Sequence, residues 1–254
     1  MFSKKSGLLT LGIFLISSTV FARTQHARIE LADRVVDGLI DPVKGEGPHP
    51  FLIVVAGDDV HVQDRLYAKL ARAAGAQDFV TLRLDWSYKK KKGVPDPKRE
   101  AEELGIVINQ MMGSRTMKQY EIDLTKVALI AKGYGAKIAM DPATGGASEK
   151  VKATLLLNPN CGTTPDSFGK LYAPFLAEKS PRFIIASRNG GGCSRTQIYA
   201  AAKDFNDEVA LFTTEGDSLF KIGKTTANQN TVIAAASNWL KDLDWVAVKK
   251  PARK

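Results

Sequence analysis

Histidine is scarce in this sequence. Its 254 residues contain three histidines, His26, His49 and His61, and no histidine follows position 61. A serine nucleophile normally loses its proton to an imidazole, which an acidic residue holds in place. In one common chain order of this triad, the histidine comes last, after the final strand of the domain. The sequence therefore excludes a catalytic triad of that order.

Cysteine is also rare, and Cys161 and Cys193 are the two examples. A disulfide between them would contribute roughly 3–4 kcal/mol if it acts by lowering the entropy of the unfolded chain. The alternative is a pair of buried free thiols, since the sequence does not supply the geometry of a bridge. An oxidising compartment would favour the bridge.

Long apolar runs are absent beyond the N-terminus. There, Lys4 and Lys5 precede the apolar segment Gly7–Ile16, and Val20-Phe21-Ala22 forms a small-x-small cleavage signal. The apolar segment is shorter than the roughly 20 residues of a membrane-spanning helix. The pattern predicts a signal peptide over residues 1–22, cleaved after Ala22. We expect an exported protein, periplasmic or secreted, with no transmembrane segment after cleavage.

The chain is basic, with a formal net charge of +9, and loss of Lys4 and Lys5 leaves +7. Two clusters of basic residues stand out, Lys89–Lys92 and Lys249–Lys254, the second of which lies in a basic C-terminal tail over residues 245–254. A basic surface favours acidic partners, although a solvated loop and a frayed chain end are the simpler interpretations of the two clusters. For an exported protein, we expect an acidic envelope ligand or a protein partner rather than nucleic acid.

Short apolar runs alternate with amphipathic segments over residues 23–244, which predicts one α/β domain. The sheet is predicted to be mainly parallel, with helices on both faces. The predicted strands are Ile29–Leu39 (a strand or hairpin), Phe51–Ala56, Phe79–Leu84, Val127–Ala131, Val151–Leu157, Phe183–Ser187 and Val209–Thr213. Helices are predicted over Asp64–Ala74, from Asp96-Pro97, from Thr164-Pro165, over Ser194–Lys203 and over Val232–Leu243. Ligands of such sheets bind beyond the carboxyl ends of the strands.

The segment Ile122–Ile138 is the most informative part of the chain. Its apolar strand, Val127–Ala131, meets Gly133 and Gly135 and then a segment that can begin a helix. A strand, a sharp turn and a helix form the nucleophile elbow, in which G-x-S-x-G places a serine at the turn. Gly133 occupies that central position, and glycine has no side chain that could attack a substrate.

Taken together, these segments resemble the α/β-hydrolases related to dienelactone hydrolase, in particular the testis-expressed-30-like branch. That branch has a strand ending in H-G-x-G, a later R-x-x-x-x-Y and an elbow similar to G-G-K-S-M-G-G-R. The counterparts here are Ala56-Gly57-Asp58, then Arg83-Leu84-Asp85-Trp86-Ser87-Tyr88, and Ile130-Ala131-Lys132-Gly133-Tyr134-Gly135-Ala136-Lys137. The resemblance extends from about Phe51 to Leu243.

The resemblance implies that all three triad positions are degenerate. The serine position holds Gly133, the acid position holds Asn189, and the histidine position falls near Ser218. No catalytic residue is therefore expected at these positions. The resemblance also makes the strands ending at Leu157 and Ser187 neighbours, so a bridge between Cys161 and Cys193 would clamp the rim of the former active site.

Two functional hypotheses follow. The first is a pseudo-hydrolase that acts as a binding or structural module in the cell envelope. The second is a hydrolase of esters or acyl groups with catalytic residues rearranged around Asp58, Asp59 and His61. The candidate ligand-binding residues are those expected at the ends of the first parallel strand and of the elbow strand, namely Gly57, Asp58, Asp59, His61, Lys132 and Tyr134.

No metal or cofactor is predicted. Three donors within four residues, Asp58 to His61, are a weak metal signal, and a solvated loop is the simpler interpretation. Gly133-Tyr134-Gly135 begins a dinucleotide-binding pattern, but Ile138 stands where the third glycine belongs. No acidic residue closes the next strand, so a nucleotide site is not favoured.

Overall fold

The computed structural model describes most of the chain between residues 23 and 245. The described ranges are 23–31, 35–57, 63–84, 97–113, 118–141, 144, 149–177, 179–202, 209–222 and 224–245. The predicted signal peptide, both basic clusters and the candidates Asp58, Asp59 and His61 lie outside these ranges. Among the residues described, no helix has both the length and the apolar character that crossing a membrane requires.

The described part of the chain contains one eight-stranded sheet. Its strands are β1 Gln25–Glu30, β2 Val35–Asp41, β3 His49–Val55, β4 Val80–Leu84, β5 Ile122–Lys132, β6 Ala153–Leu157, β7 Arg182–Ser187 and β8 Val209–Thr214. The spatial order is β1-β2-β4-β3-β5-β6-β7-β8. The β1–β2 and β2–β4 pairs are antiparallel, and every other pair is parallel. The predicted mainly parallel sheet is therefore confirmed, and the opening segment is a hairpin.

Seven described helices cover the two faces of this sheet. They are α1 Arg65–Gly75, α2 Pro97–Gly113, α3 Tyr134–Ala139, α4 Ser167–Leu171, α5 Ala173–Ala177, α6 Arg195–Ala202 and α7 Ala227–Asp242. Buried side chains of α1 and α7 share one hydrophobic core with one face of the sheet. Those of α2 to α6 share a second core with the other face. The prediction of helices on both faces is confirmed.

The central strands explain why the sequence shows continuous apolar runs. In β3, Ile53 and Val55 belong to the core beneath α2 to α6, whereas Leu52 and Val54 belong to the core beneath α1 and α7. All four side chains are fully buried. Successive residues of a strand point to opposite faces, so a strand covered on both sides must be apolar at every position.

Local signals in the sequence set the starts of two helices. The Asp64 side chain accepts a hydrogen bond of 2.8 Å from the backbone N–H of Leu66, so Asp64 caps α1. Pro97 is the first residue of α2, a position where the missing N–H of proline costs nothing. Caps such as that of Asp64 typically contribute about 1 kcal/mol.

One helix prediction is wrong. The sequence predicts a single helix from Thr164-Pro165 that carries apolar residues as far as Phe175. The structure instead has two short helices, α4 and α5, which are separated at Tyr172. Pro174 explains the break, because it has no N–H for the continuing ladder and it restricts the backbone of the residue before it.

Candidate functional site

Gly133 forms a sharp turn between the last residue of β5 and the first residue of α3. Its backbone angles are φ 56° and ψ −121°. Residues other than glycine adopt this backbone conformation only under strain. The Gly133 N–H donates to the carbonyl oxygen of Leu157 at 3.0 Å. The strand, sharp turn and helix predicted for this segment are therefore present, with Gly133 at the turn.

The two elbow glycines differ in the space around them. A Cβ atom on Gly133 would have the Oδ1 atom of Asn160 as its nearest neighbour, at 3.7 Å. A Cβ atom on Gly135 would lie 2.9 Å from the carbonyl oxygen of Val55 and 3.0 Å from that of Ala56. Gly135 is thus needed for the close approach of α3 to β3, whereas position 133 has room for a side chain.

Asn160 is held above the elbow by hydrogen bonds from two sides. Its own N–H donates to the carbonyl oxygen of Gly133 at 3.4 Å, and its carbonyl oxygen accepts from the Tyr172 hydroxyl at 2.9 Å. The Tyr172 ring is buried and stacks on Phe168, with ring centroids 4.8 Å apart. Burial raises the pKa of the Tyr172 hydroxyl well above its ordinary value. The hydroxyl therefore stays protonated and remains a donor.

The residues predicted at the acid and histidine positions, Asn189 and Ser218, bond through their backbone groups. Asn189 is exposed, and its N–H donates to the carbonyl oxygen of Gly216 at 3.3 Å. Ser218 is half-buried, and its carbonyl oxygen accepts from the Asn158 side chain at 3.1 Å. Neither Asn189 nor Ser218 has a side chain that can take a proton from a substrate at neutral pH.

Asn158 lies at the edge of the sheet formed by the carboxyl ends of the parallel strands, which we call the rim. The sequence did not predict a role for this residue. It follows β6, is buried, and has φ 42°, a left-handed conformation that asparagine tolerates. Its Oδ1 atom accepts from the N–H of Ser187 at 2.6 Å, while Nδ2 donates to Ser218. The Ser187 hydroxyl donates in turn to the carbonyl oxygen of Asp217 at 3.0 Å. These bonds join the ends of β6 and β7 to the loop after β8.

The predicted disulfide is present in the structure. Cys161 and Cys193 are bonded and join the segments that follow β6 and β7, which are neighbouring parallel strands. Cys193 is buried, and its N–H also donates to the carbonyl oxygen of Pro159 at 2.8 Å. The bridge therefore clamps the rim at the carboxyl ends of these strands.

Three of the predicted ligand-binding residues lie at this rim. Gly57 follows β3, and its N–H donates to the Tyr67 hydroxyl at 3.4 Å. Lys132 is the buried last residue of β5, and Tyr134 is the half-buried first residue of α3. Within the described ranges, no group of three or more His, Cys, Asp or Glu side chains could hold a metal ion.

The two described histidines lie away from the elbow. His49 is buried at the start of β3, its Nδ1 atom is 3.3 Å from Oδ2 of Asp78, and it pairs with Ile122, the first residue of β5. Val55, six residues further along β3, pairs with Ala131, so Gly133 lies more than about 20 Å from His49 at the usual rise of a strand. His26 is on β1, the edge strand of the sheet. Neither of these two imidazoles can take a proton from a side chain at residue 133.

Comparison with known proteins identifies the fold. An α/β serine hydrolase homologue from Coxiella burnetii is 16% identical, with a TM-score of 0.62 over 86% of this chain and 97% of the other. XC6422 from Xanthomonas campestris, an α/β serine hydrolase without a lid, is 12% identical, with a TM-score of 0.64 over 91% and 97%. Esterase 2 from Thermogutta terrifontis, phosphorylated by paraoxon, is 14% identical, with a TM-score of 0.67 over 89% and 96%.

These structures share the fold of this protein, which is that of the α/β hydrolases. Identities of this size establish the architecture and not the activity. Comparison of the sequence with protein-family models and with curated proteins gives no match.

Proposed function

We propose that this protein is a pseudo-hydrolase of the testis-expressed-30-like branch, exported to the cell envelope, where it acts as a binding or structural module. The observation that carries the proposal is the backbone of Gly133, which keeps φ 56° and ψ −121° at the elbow with no side chain to act as nucleophile. Acyl transfer in this fold needs an attacking oxygen at that turn and an imidazole to take its proton.

The surroundings of Gly133 support a role without catalysis. The nearest side-chain atom to a Cβ at this position is Oδ1 of Asn160, and an amide does not accept a proton at neutral pH. The polar groups near the other triad positions are engaged with backbone atoms, as in the bond from Ser187 to Asp217. Such bonds fix the shape of the rim and leave these groups unavailable for proton transfer.

Export is supported by two independent features. The first 22 residues have the three parts of a signal peptide. The disulfide between Cys161 and Cys193 belongs to an oxidising compartment such as a periplasm or the extracellular space. Mass spectrometry of the protein from an envelope fraction should give a chain that begins at Arg23, and a cytoplasmic chain that keeps residues 1–22 would contradict this part of the proposal.

The absence of catalysis can be tested with purified mature protein. A fluorophosphonate probe and a series of p-nitrophenyl esters should show neither labelling nor hydrolysis above the buffer rate, while a serine esterase treated in parallel reacts with both. Ester turnover that disappears in D58A, D59A or H61A would overturn the proposal in favour of a hydrolase with rearranged residues. Labelling that persists in all three variants would point to an unassigned serine and would overturn it as well.

A further inference from the structure

A cavity of about 340 Å³ lies beside the rim, at the carboxyl ends of β7 and β8. Its described lining residues come from the end of β7, the segment before α6, the start of α6 and β8. They are Ala186, Ser187, Arg188, Asn189, Gly191, Gly192, Cys193, Ser194, Arg195 and Thr213. The volume is at the lower end of the range for small-molecule sites, which indicates a ligand about the size of a monosaccharide.

The charge of the cavity is positive. Arg188 and Arg195 are among its described lining residues, and none of those residues is acidic. Arg188 is 2.7 Å from the carboxylate of Glu215, but their side chains are 69% and 50% exposed, so this surface ion pair is weak and can be exchanged for a ligand. The guanidinium of Arg195 lies 5.1 Å above the ring of Tyr199. Stacking leaves the N–H groups in the guanidinium plane able to bind an anion.

The wall between the two arginines is held in a fixed shape. Cys193 is bonded to Cys161, and Gly192 is so close to the carbonyl oxygen of Pro159 that a Cβ atom would be 2.8 Å from it. The Gln197 side chain donates to the carbonyl oxygens of Gly162 and Thr164 at 3.0 and 2.8 Å. Binding at a preformed wall loses less conformational entropy than binding at a mobile one.

The start of α6 has few N–H groups to offer an anion. The Ser194 N–H donates to Oε1 of Gln197 at 2.8 Å, and the Gln197 N–H donates to the Ser194 hydroxyl at 3.2 Å. This reciprocal capping box uses two of the N–H groups that a helix start would offer to an anion. An anion in the cavity would therefore be bound by the arginine side chains.

We propose that this cavity binds a small organic anion, whose carboxylate or phosphate group contacts Arg188 and Arg195. Guanidinium groups match the geometry of both oxyanions through paired N–H···O bonds. The inference rests on the proposed function, since it names the ligand class that a binding module of this fold would recognise. The site is separate from the elbow, because neither Gly133 nor Asn160 is among its lining residues.

Isothermal titration calorimetry with three related sugars tests the proposal. Glucuronate and glucose 6-phosphate carry a carboxylate and a phosphate at carbon 6 of the glucose skeleton, and glucose is the neutral control. We expect at least one of the two anions to bind, with glucose binding at least tenfold more weakly. R188Q and R195Q should each weaken the binding of that anion by about tenfold or more, as expected for loss of a charge-assisted hydrogen bond.

R99Q is the matched control, since Arg99 on α2 also pairs with an acid, Glu103, and is 51% exposed outside the cavity. The affinity of R99Q for the anion that binds should stay within twofold of the wild-type value. The proposal is overturned if neither anion binds, if glucose binds equally well, or if R99Q weakens binding as much as R195Q does. Ester hydrolysis measured on the same samples distinguishes the two proposals. Ester turnover would contradict the pseudo-hydrolase proposal alone. Absence of anion binding would contradict only the proposal that the cavity binds an anion.

Discussion

Oδ1 of Asn160 lies 3.7 Å from the point that a Cβ atom on Gly133 would occupy. The group that stands above this elbow is therefore an amide, which offers hydrogen bonds but takes no proton at neutral pH. The space at residue 133 is open. If this position held a serine in an ancestral hydrolase, as we propose, crowding does not explain its replacement by glycine.

Gly133→Ser tests whether position 133 has space for a side chain and how much its backbone conformation strains one. The side chain fits, but the positive φ is strained for a residue with a Cβ atom, so we expect the free energy of unfolding to fall by about 1–2 kcal/mol. G133A should fall by a similar amount, because it carries the same backbone strain. Urea unfolding followed by circular dichroism gives these values.

Gly135→Ala is the control for space at the elbow. Its methyl group would lie within 3.0 Å of the carbonyl oxygens of Val55 and Ala56, so we expect a larger loss of stability than in G133S. A larger loss of stability in G133S than in G135A would mean that there is no space for a side chain at position 133. G133S should also remain unlabelled by a fluorophosphonate, and labelling of this variant would mean that an imidazole reaches the elbow.

The disulfide should make a large contribution to stability. Replacing both Cys161 and Cys193 by serine opens a loop of 32 residues, and we expect the free energy of unfolding to fall by about 3–4 kcal/mol. Urea unfolding of the wild type with and without reductant measures the same quantity. The double variant is its own control, since reductant should not change its unfolding curve. An equal response of both proteins to reductant would contradict the prediction.

The architecture was predictable from the sequence because strand and helix signals are local. The dense apolar run at Phe51–Ala56 and the proline at position 97 each indicate an element without reference to distant residues. The positions of the two cysteines at the ends of neighbouring strands followed from the resemblance, once the order of the strands was assumed. The single helix predicted after Thr164 is wrong, because Pro174 ends the ladder of helical hydrogen bonds and divides the segment into α4 and α5.

The arrangement of the rim was not predictable, because it depends on contacts between residues far apart in the chain. The bond from Asn158 to Ser218 joins residues 60 positions apart. The letters Asn-Pro-Asn at residues 158–160 do not show that the first asparagine is buried or that the second lies next to Gly133. Arg188 and Arg195 come from the same loop and helix start, yet only the folded structure shows that they share a cavity.

Asn158→Ala should destabilise the rim strongly. The substitution removes two hydrogen bonds, to Ser187 and Ser218, and leaves a residue with a Cβ atom at φ 42°. We expect a loss of about 2–4 kcal/mol in the free energy of unfolding. Asn158→Gly loses the same bonds without the backbone strain, so it should be about 1 kcal/mol more stable than N158A. Equal stability of N158A and the wild type would mean that these bonds contribute nothing.

Tyr172 should make the protein sensitive to alkaline pH. Burial raises its pKa above the ordinary value of 10.0, so the folded chain keeps this proton at pH values where the unfolded chain loses it. The unfolded state then binds fewer protons, and stability falls by about 1.4 kcal/mol for each pH unit above about 10. Below pH 10 both states are protonated, and the contribution is constant.

Tyr172→Phe separates this effect from other alkaline titrations. At pH 8, Y172F should be less stable by about 1 kcal/mol, because the hydrogen bond to the carbonyl oxygen of Asn160 is lost. Above about pH 10, it should lose stability less steeply than the wild type, so the two curves should cross near pH 11. Tyr199→Phe, at an exposed position, should follow the wild-type curve throughout. Parallel stability–pH curves for Y172F and the wild type between pH 9 and pH 11 would contradict the prediction, because they would show that the Tyr172 hydroxyl is not excluded from solvent. Its hydrogen bond to Asn160 would then not be a buried one.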